Sequence, residues 1–206
     1  MIKGYYFITD ADLSRKGNLD DVKNAVEAGA SVVQYRSKLD DTEHMLEEAR
    51  LLKEICNNKA LFIINDRVGI ALAVDADGVH LGQGDMPYET ARGLLGKDKI
   101  IGVTAHDLGE AMLAEKKGAD YLGVSPVFST TTKEDAGSPC GTGLIREIKR
   151  HCNIPITAIG GITFDNALEV IQAGADAICA ISSVVTKDDV RKEIEKFRGL
   201  FIRSVI

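Results

Sequence analysis

A chain of 206 residues with 45% hydrophobic content can bury one substantial core and is short for two. Its formal net charge of −6 argues against a general nucleic-acid binder, whose footprint should be basic. No apolar stretch approaches the roughly 20 residues of a membrane helix. Asp10 and Asp12 stand where a signal peptide would be apolar, so a cytoplasmic protein with no membrane partner is expected. Cys56, Cys140, Cys152 and Cys179 form no CxxC pair and read as reduced thiols.

Two textures alternate along the chain: short apolar runs and amphipathic stretches with helical spacing. The spacing predicts a strand over 5–9 and a helix over 19–28, then a strand over 31–35. A helix over 42–56 follows, with Met45, Ala49, Leu52 and Cys56 recurring every three or four residues. Strand 61–64 precedes a short helix at 68–74, and strand 78–81 precedes a helix at 88–95. Strand 99–103 leads to helix 108–117, and strand 121–124 to a long polar loop and a helix at 144–151. The last two units are strand 156–159 with helix 164–173, and strand 177–181 with helix 190–201. Gly29-Ala30, Gly118-Ala119 and Gly174-Ala175 fall where helices should stop, and they look like a repeat of the helix-to-strand step. Eight such units predict an α/β chain folded as one (β/α)8 TIM barrel over 1–206, with a doubly wound open sheet as the rival. No linker-like stretch divides it.

Polar groups are parked just beyond the strand ends, where a sheet enzyme keeps its chemistry. Alternation puts Gln34, Arg36 and Lys38 on one face, where the two cations either meet a phosphorylated ligand or belong to a solvated loop start. Asp66 and Asp85 follow adjacent strands about 4.8 Å apart. They either cap the following helices or converge on a hard cation such as Mg²⁺. His80 reads as barrel packing. The run Ser129-Thr130-Thr131-Thr132-Lys133 suits an anion or is a polar surface loop, and 134–143 is a candidate lid. Gly160-Gly161 and Ser182-Ser183, after the seventh and eighth strands, suit a phosphate, the alternative being two tight turns with a helix cap.

Together these motifs resemble the thiamine phosphate synthase family over nearly the whole chain. The residues that carry the resemblance are Gln34-x-Arg36-x-Lys38, Asn65-Asp66-Arg67, Gly78-Val79-His80-Leu81-Gly82-Gln83-x-Asp85 and Gly102-Val103-Thr104-x-His106. Gly123–Phe128 with Thr130, Thr132 and Lys133, then Ile159-Gly160-Gly161-Ile162 and Ile181-Ser182, complete it. The resemblance implies a transferase of thiamine biosynthesis. It would join 4-amino-5-hydroxymethyl-2-methylpyrimidine diphosphate to a thiazole phosphate, releasing pyrophosphate. It also implies Mg²⁺ on Asp66 and Asp85, and catalytic cations at Arg36, Lys38 and Lys133. Gln34, Tyr35, Arg36, Ser37, Lys38, Asn65, Thr104 and Lys133 would bind the pyrimidine diphosphate. Thr130, Thr131, Thr132, Gly161, Ile181 and Ser182 would bind the thiazole phosphate. The implied partners are small molecules, and a homo-oligomer is compatible with this reading.

Three residues depart from the family pattern: Thr104 for a common Ser, Ser129 for a usual Pro, and Gly84 for a common acidic residue. A thiazole tautomerase of the same superfamily, with His106 moving protons, is the nearest enzymatic alternative. A silent barrel that binds thiamine phosphates is the alternative of another class.

Overall fold

Both faces of a parallel sheet are buried, so successive residues of one strand must serve two different cores. The computed structural model, which describes residues 2–38, 41–132 and 137–203, has eight strands that do so. They are β1 (Gly4–Ile8), β2 (Val32–Tyr35), β3 (Leu61–Asn65), β4 (Gly78–Leu81), β5 (Ile100–Ala105), β6 (Tyr121–Val124), β7 (Ile156–Ile159) and β8 (Ala177–Cys179). Each pairs in parallel with the next, and β1 pairs with β8, closing the barrel. Tyr6, Ile8, Val32, Ile63, Tyr121 and Cys179 fill the interior. The residues between them, such as Tyr5, Phe7, Val33, Tyr35, Phe62 and Ile64, pack outward under the helices.

The helices are α1 (Asn18–Glu27), α2 (Thr42–Cys56), α3 (Val68–Ala73), α4 (Tyr88–Leu95), α5 (Leu108–Lys117), α6 (Gly141–His151), α7 (Phe164–Gln172), α8 (Ser182–Val185) and α9 (Val190–Arg203). Asp41 caps α2, accepting from the Glu43 and His44 amides, and Asp107 caps α5. Thr163 and Asn166 form a capping box on α7. Among the described residues no helix is long and apolar enough to cross a membrane. All four cysteines are unpaired.

The barrel expectation holds, and the rival open sheet is excluded by the β1–β8 pairing. Some boundaries move. β5 runs on to Ala105, which brings Thr104 into the strand. The apolar run after Asp176 does not stay extended to Ile181; β8 stops at Cys179 and a short α8 begins at Ser182. Periodicity cannot separate a buried strand end from a buried helix start in so short a run. α6 begins at Gly141 rather than at 144, because the two glycines at 141 and 143 read as loop.

The lower rim is stitched by a recurring device. The amides of Ala30, Ala76, Ala119 and Ala175 each bond back to the carbonyl five residues earlier, at 2.9, 2.9, 3.0 and 3.4 Å. The residue before each alanine is left-handed: Gly29, Asp75, Gly118 and Gly174. The following residue is an aspartate in three cases. Asp77, Asp120 and Asp176 donate their amides to Phe62, Ile101 and Ile156 and take the amides of those same residues on a carboxylate oxygen at 2.7–2.8 Å. Each carboxylate also holds a cation from a helix: Lys53 at 3.0 Å, Arg92 at 2.7 Å and Lys149 at 2.8 Å.

Two interior glycines leave room for aromatic rings. A Cβ at Gly102 would lie 2.1 Å from Tyr121 Cζ, and one at Gly123 would lie 2.7 Å from His80 Cε1. Gly102→Ala is therefore expected to cost about 3 kcal/mol of stability through overpacking. Chemical denaturation checks this; a loss within experimental error would mean that Tyr121 has space to move aside.

Candidate active site

The carboxyl ends of the strands surround an open cleft. Gln34 in β2 and Arg36 just after it line the cleft, as do Asn65 at the end of β3, Asp66 after it, and Asp85 after β4. Thr104 from β5, Thr130 and Thr132 from the loop after β6, Gly161 after β7, and Ile181 with Ser182 after β8 close the ring. Residues far apart in sequence thus meet because each follows a strand of the same barrel.

The β2 end is held by the β1 end. Asp10 is buried, and its Oδ2 lies 3.4 Å from Arg36 Nη1 and 3.7 Å from Lys38 Nζ. Asp12 takes the Lys38 ammonium at 2.9 Å, and this bond, with Asp10 behind it, holds Lys38 above its usual pKa. Thr9 Oγ1 accepts from the Arg36 amide at 2.9 Å. The sequence did not nominate Asp10 as a site residue. The signal was there, since Asp10 follows an apolar run just as Asp66 does.

Asp66 and Asp85 do not cap helices. The N-caps of α3 and α4 are Arg67 and Pro87, and neither helix has a side-chain cap. Asp66 instead sits at φ 59°, an unusual region for a residue with a side chain. Its amide donates to His80 O at 2.9 Å, and its Oδ2 accepts from Asn65 Nδ2 at 2.5 Å. Such backbone strain costs on the order of 1 kcal/mol and gathers at functional sites. Asp85 Oδ2 accepts from the Gly82 amide at 2.7 Å, which fixes that carboxylate at the rim.

Opposite, Gly160 and Gly161 have φ 100° and 62°, so their amides turn in a way that side chains resist. A Cβ on Gly161 would lie 2.5 Å from Ser129 O and 2.7 Å from Phe128 Cβ. The glycine therefore lets the β6 and β7 loops touch. Thr130 Oγ1 accepts from the Thr132 amide at 3.2 Å, pinning the β6 loop on the same side.

Tyr35, Ser37, Lys38 and Thr131, also nominated by the sequence, stand apart from the cleft lining. Tyr35 turns outward into the layer between sheet and helices, as strand alternation requires of the residue after Gln34. Ser37, Lys38 and Thr131 are not among the lining residues, and Lys38 and Thr131 are exposed. Lys133 and part of the candidate lid, 133–136, lie outside the described residues. His106 lines the cleft edge, half exposed, with Nδ1 3.0 Å from Glu110 Oε2. His80 is buried but is more than packing: Nδ1 lies 3.0 Å from Tyr121 OH and Nε2 2.9 Å from Thr104 Oγ1.

A family model described as thiamine monophosphate synthase matches residues 5–184. The chain belongs to this family. A thiamine-phosphate synthase of Methanosarcina barkeri is 54% identical over 97% of this chain and 91% of its own length. One from Chloroflexus aurantiacus is 50% identical over 95% of this chain and 91% of its own. Among solved structures, thiamine phosphate pyrophosphorylase from Pyrococcus furiosus superposes with a TM-score of 0.91 at 43% identity, covering 98% of this chain and 97% of that one. Membership of the thiamine monophosphate synthase family accounts for the barrel.

Proposed function

We propose that this chain is a thiamine-phosphate synthase, a transferase that condenses 4-amino-5-hydroxymethyl-2-methylpyrimidine diphosphate with thiazole phosphate. The observation that carries the reading is one cleft in a member of this family with Arg36, Asp66 and Asp85 on one side. On the other side are the hydroxyls and glycine amides of Thr130, Thr132, Gly161 and Ser182. The first set suits a diphosphate with its cation; the second suits a monophosphate.

In the reaction, the bond between the pyrimidine methylene carbon and its bridging oxygen breaks, and pyrophosphate leaves with the electron pair. The electron-rich aminopyrimidine stabilises the cation left behind. The thiazole nitrogen then supplies its lone pair to form the new C–N bond, giving thiamine phosphate. No protein nucleophile or strong base is required. The chain's task is to hold two phosphorylated substrates in line and to offset charge growing on the leaving group.

Arg36, Asn65 and Lys133 would bind the diphosphate, with Lys38 entering from the rim and Ser37 and Tyr35 contributing through the backbone of the same segment. Gln34 and Thr104 would read the pyrimidine. Ile181 and the loop carrying Thr130, Thr131 and Thr132 would flank the thiazole. Asp66 and Asp85 are the residues that would hold Mg²⁺. Among the described residues no third acidic, histidine or cysteine side chain completes a metal group around them. Two hard carboxylates without a full protein cage fit an ion that keeps waters and shares substrate phosphates. When bound, Mg²⁺ neutralises charge on the departing diphosphate. The reading carries a cytoplasmic location and small-molecule partners, without nucleic acid or membrane.

Incubation of the purified chain with both precursors and Mg²⁺ tests the reading, with thiamine phosphate and pyrophosphate as the expected products. Absence of both would overturn it. The two-subsite division has its own check. Gly161→Val would push apart the β6 and β7 loops as well as block amides, so Ser182→Ala is the cleaner probe. It is expected to raise the KM for thiazole phosphate roughly tenfold, about what one phosphate hydrogen bond contributes. Calorimetry that found equal weakening of both substrates would overturn the division.

A further inference from the structure

Beneath the cleft, the barrel interior carries a continuous hydrogen-bonded chain. Gln34 Nε2 lies 2.7 Å from Tyr6 OH, and Tyr6 OH lies 2.7 Å from Tyr121 OH. Tyr121 OH reaches His80 Nδ1 at 3.0 Å, and His80 Nε2 reaches Thr104 Oγ1 at 2.9 Å. Tyr6 and Tyr121 are fully buried and do not line the cleft, whereas Gln34, His80 and Thr104 do. Gly102 and Gly123 are the space in which Tyr121 and the His80 ring sit. A chain of polar groups in a core is costly unless every member is satisfied, so its completeness here has to be explained.

Proton counting gives the chain a direction. Burial pushes both phenols up, so each keeps its single proton. An amide nitrogen can only donate, so Tyr6 accepts from Gln34 and must give its own proton to Tyr121. Tyr121 then gives its proton to His80 Nδ1. In a neutral imidazole that leaves the ring proton on Nε2, directed at Thr104 Oγ1, and Thr104 keeps its proton for the cleft. At the other end the Gln34 carbonyl remains as an acceptor. Turning the Gln34 amide over would reverse every bond in the series, leaving Gln34 as a donor and Thr104 as an acceptor. In either sense the two ends are opposite.

We propose that Gln34, Tyr6, Tyr121, His80 and Thr104 form one hydrogen-bond unit in which His80 is a positioning residue for the Thr104 hydroxyl. The unit presents one donor and one acceptor, always paired, to an aminopyrimidine. This rests on the synthase reading and extends it below the substrate surface. A 4-aminopyrimidine carries an amino donor beside ring-nitrogen acceptors, the complement of such a pair. The unit also explains why His80 needs no catalytic role of its own to be placed between a tyrosine and a cleft hydroxyl.

Tyr6→Phe cuts the chain at a residue that touches no substrate. It is expected to raise the KM for the pyrimidine diphosphate roughly tenfold, the worth of one neutral hydrogen bond, and to leave the KM for thiazole phosphate unchanged. His80→Gln, which keeps one donor and one acceptor, should retain more of the pyrimidine affinity than His80→Leu. The deciding measurement is a double-mutant cycle of Gln34→Ala and Thr104→Ala. Their effects on pyrimidine binding should be non-additive in the otherwise unaltered chain and additive with Tyr6→Phe. Thermal melts accompany each variant. If Tyr6→Phe does not fold, the first cycle still decides, and additivity there overturns the unit. An active chain with additive effects overturns the unit alone. An unaltered chain that makes no thiamine phosphate overturns the synthase reading and the unit with it.

Discussion

Asp66→Asn and Asp85→Asn are each expected to lower turnover at least a hundredfold while leaving the melting temperature nearly in place, a loss comparable to removing one electrostatic group from a transition state. The structure explains why stability should be spared. Asp66 occupies the left-handed region, which asparagine tolerates as well as aspartate. The Asp85 carboxylate accepts from the Gly82 amide, and an asparagine carbonyl oxygen can accept that bond too. Only the negative charge is lost. Chelation of the unaltered enzyme should abolish activity, with added Mg²⁺ restoring it. Full metal-dependent turnover in the double Asn variant would sink the assignment of these two residues.

Lys133→Ala should be the other severe variant. A cation that meets charge developing on the diphosphate matters most in the transition state, and its loss could cost about 2.7–4 kcal/mol by analogy with an oxyanion donor. Single-turnover coupling should then fall by roughly a hundredfold or more. His106→Asn should be milder. Its ring sits at the cleft edge, tied to Glu110, and the coupling requires no imidazole to carry protons. A thiazole tautomerase demands the opposite ranking, with isomerisation of the thiazole in the absence of pyrimidine diphosphate. Measuring both reactions for both variants, with melts as folding controls, separates the two. A large His106 effect beside an indifferent Lys133 would move the assignment to the tautomerase.

The parts of this molecule that were legible in its sequence are those governed by short-range periodicity. The helix at Thr42–Cys56 and the strand at Gly78–Leu81 follow from spacing alone. The cleft followed from a positional rule, polar groups after strands, and alternation already separates Gln34 from Tyr35. What stayed hidden depends on closure. Tyr6 and Tyr121 lie in β1 and β6, and nothing local in either strand says that their hydroxyls meet across the barrel. Asp10 escaped for a different reason. An acidic residue near the start of the chain was read for its bearing on a signal peptide, whereas its buried partnership with Arg36 appears only when β1 lies beside β2. For Asp66 the sequence left capping open beside a metal role, and the structure puts the N-cap of α3 at Arg67 instead.

The stitched lower rim has a consequence for how the barrel is composed. Its left-handed residue, buried alanine and clamp precede β2, β4, β6 and β8, every second strand. Before β4 the left-handed position is Asp75, and before β2 the clamp is Ser31, whose amide bonds Tyr5 O at 3.1 Å. Those two substitutions blur a fourfold pattern that the visible Gly-Ala breaks only partly record. The repeating unit is therefore a pair of strands with their helices, a quarter of the barrel. Each quarter is clamped within itself by an even strand's leading residue reaching back to the odd strand before it, while adjoining quarters meet through main-chain pairing, packed helices and the ion pairs of Lys53, Arg92 and Lys149 with the next quarter's aspartate. The molecule can be regarded as four copies of one small building block arranged in a ring, each free to carry a different loop at its top because its joint lies at the bottom.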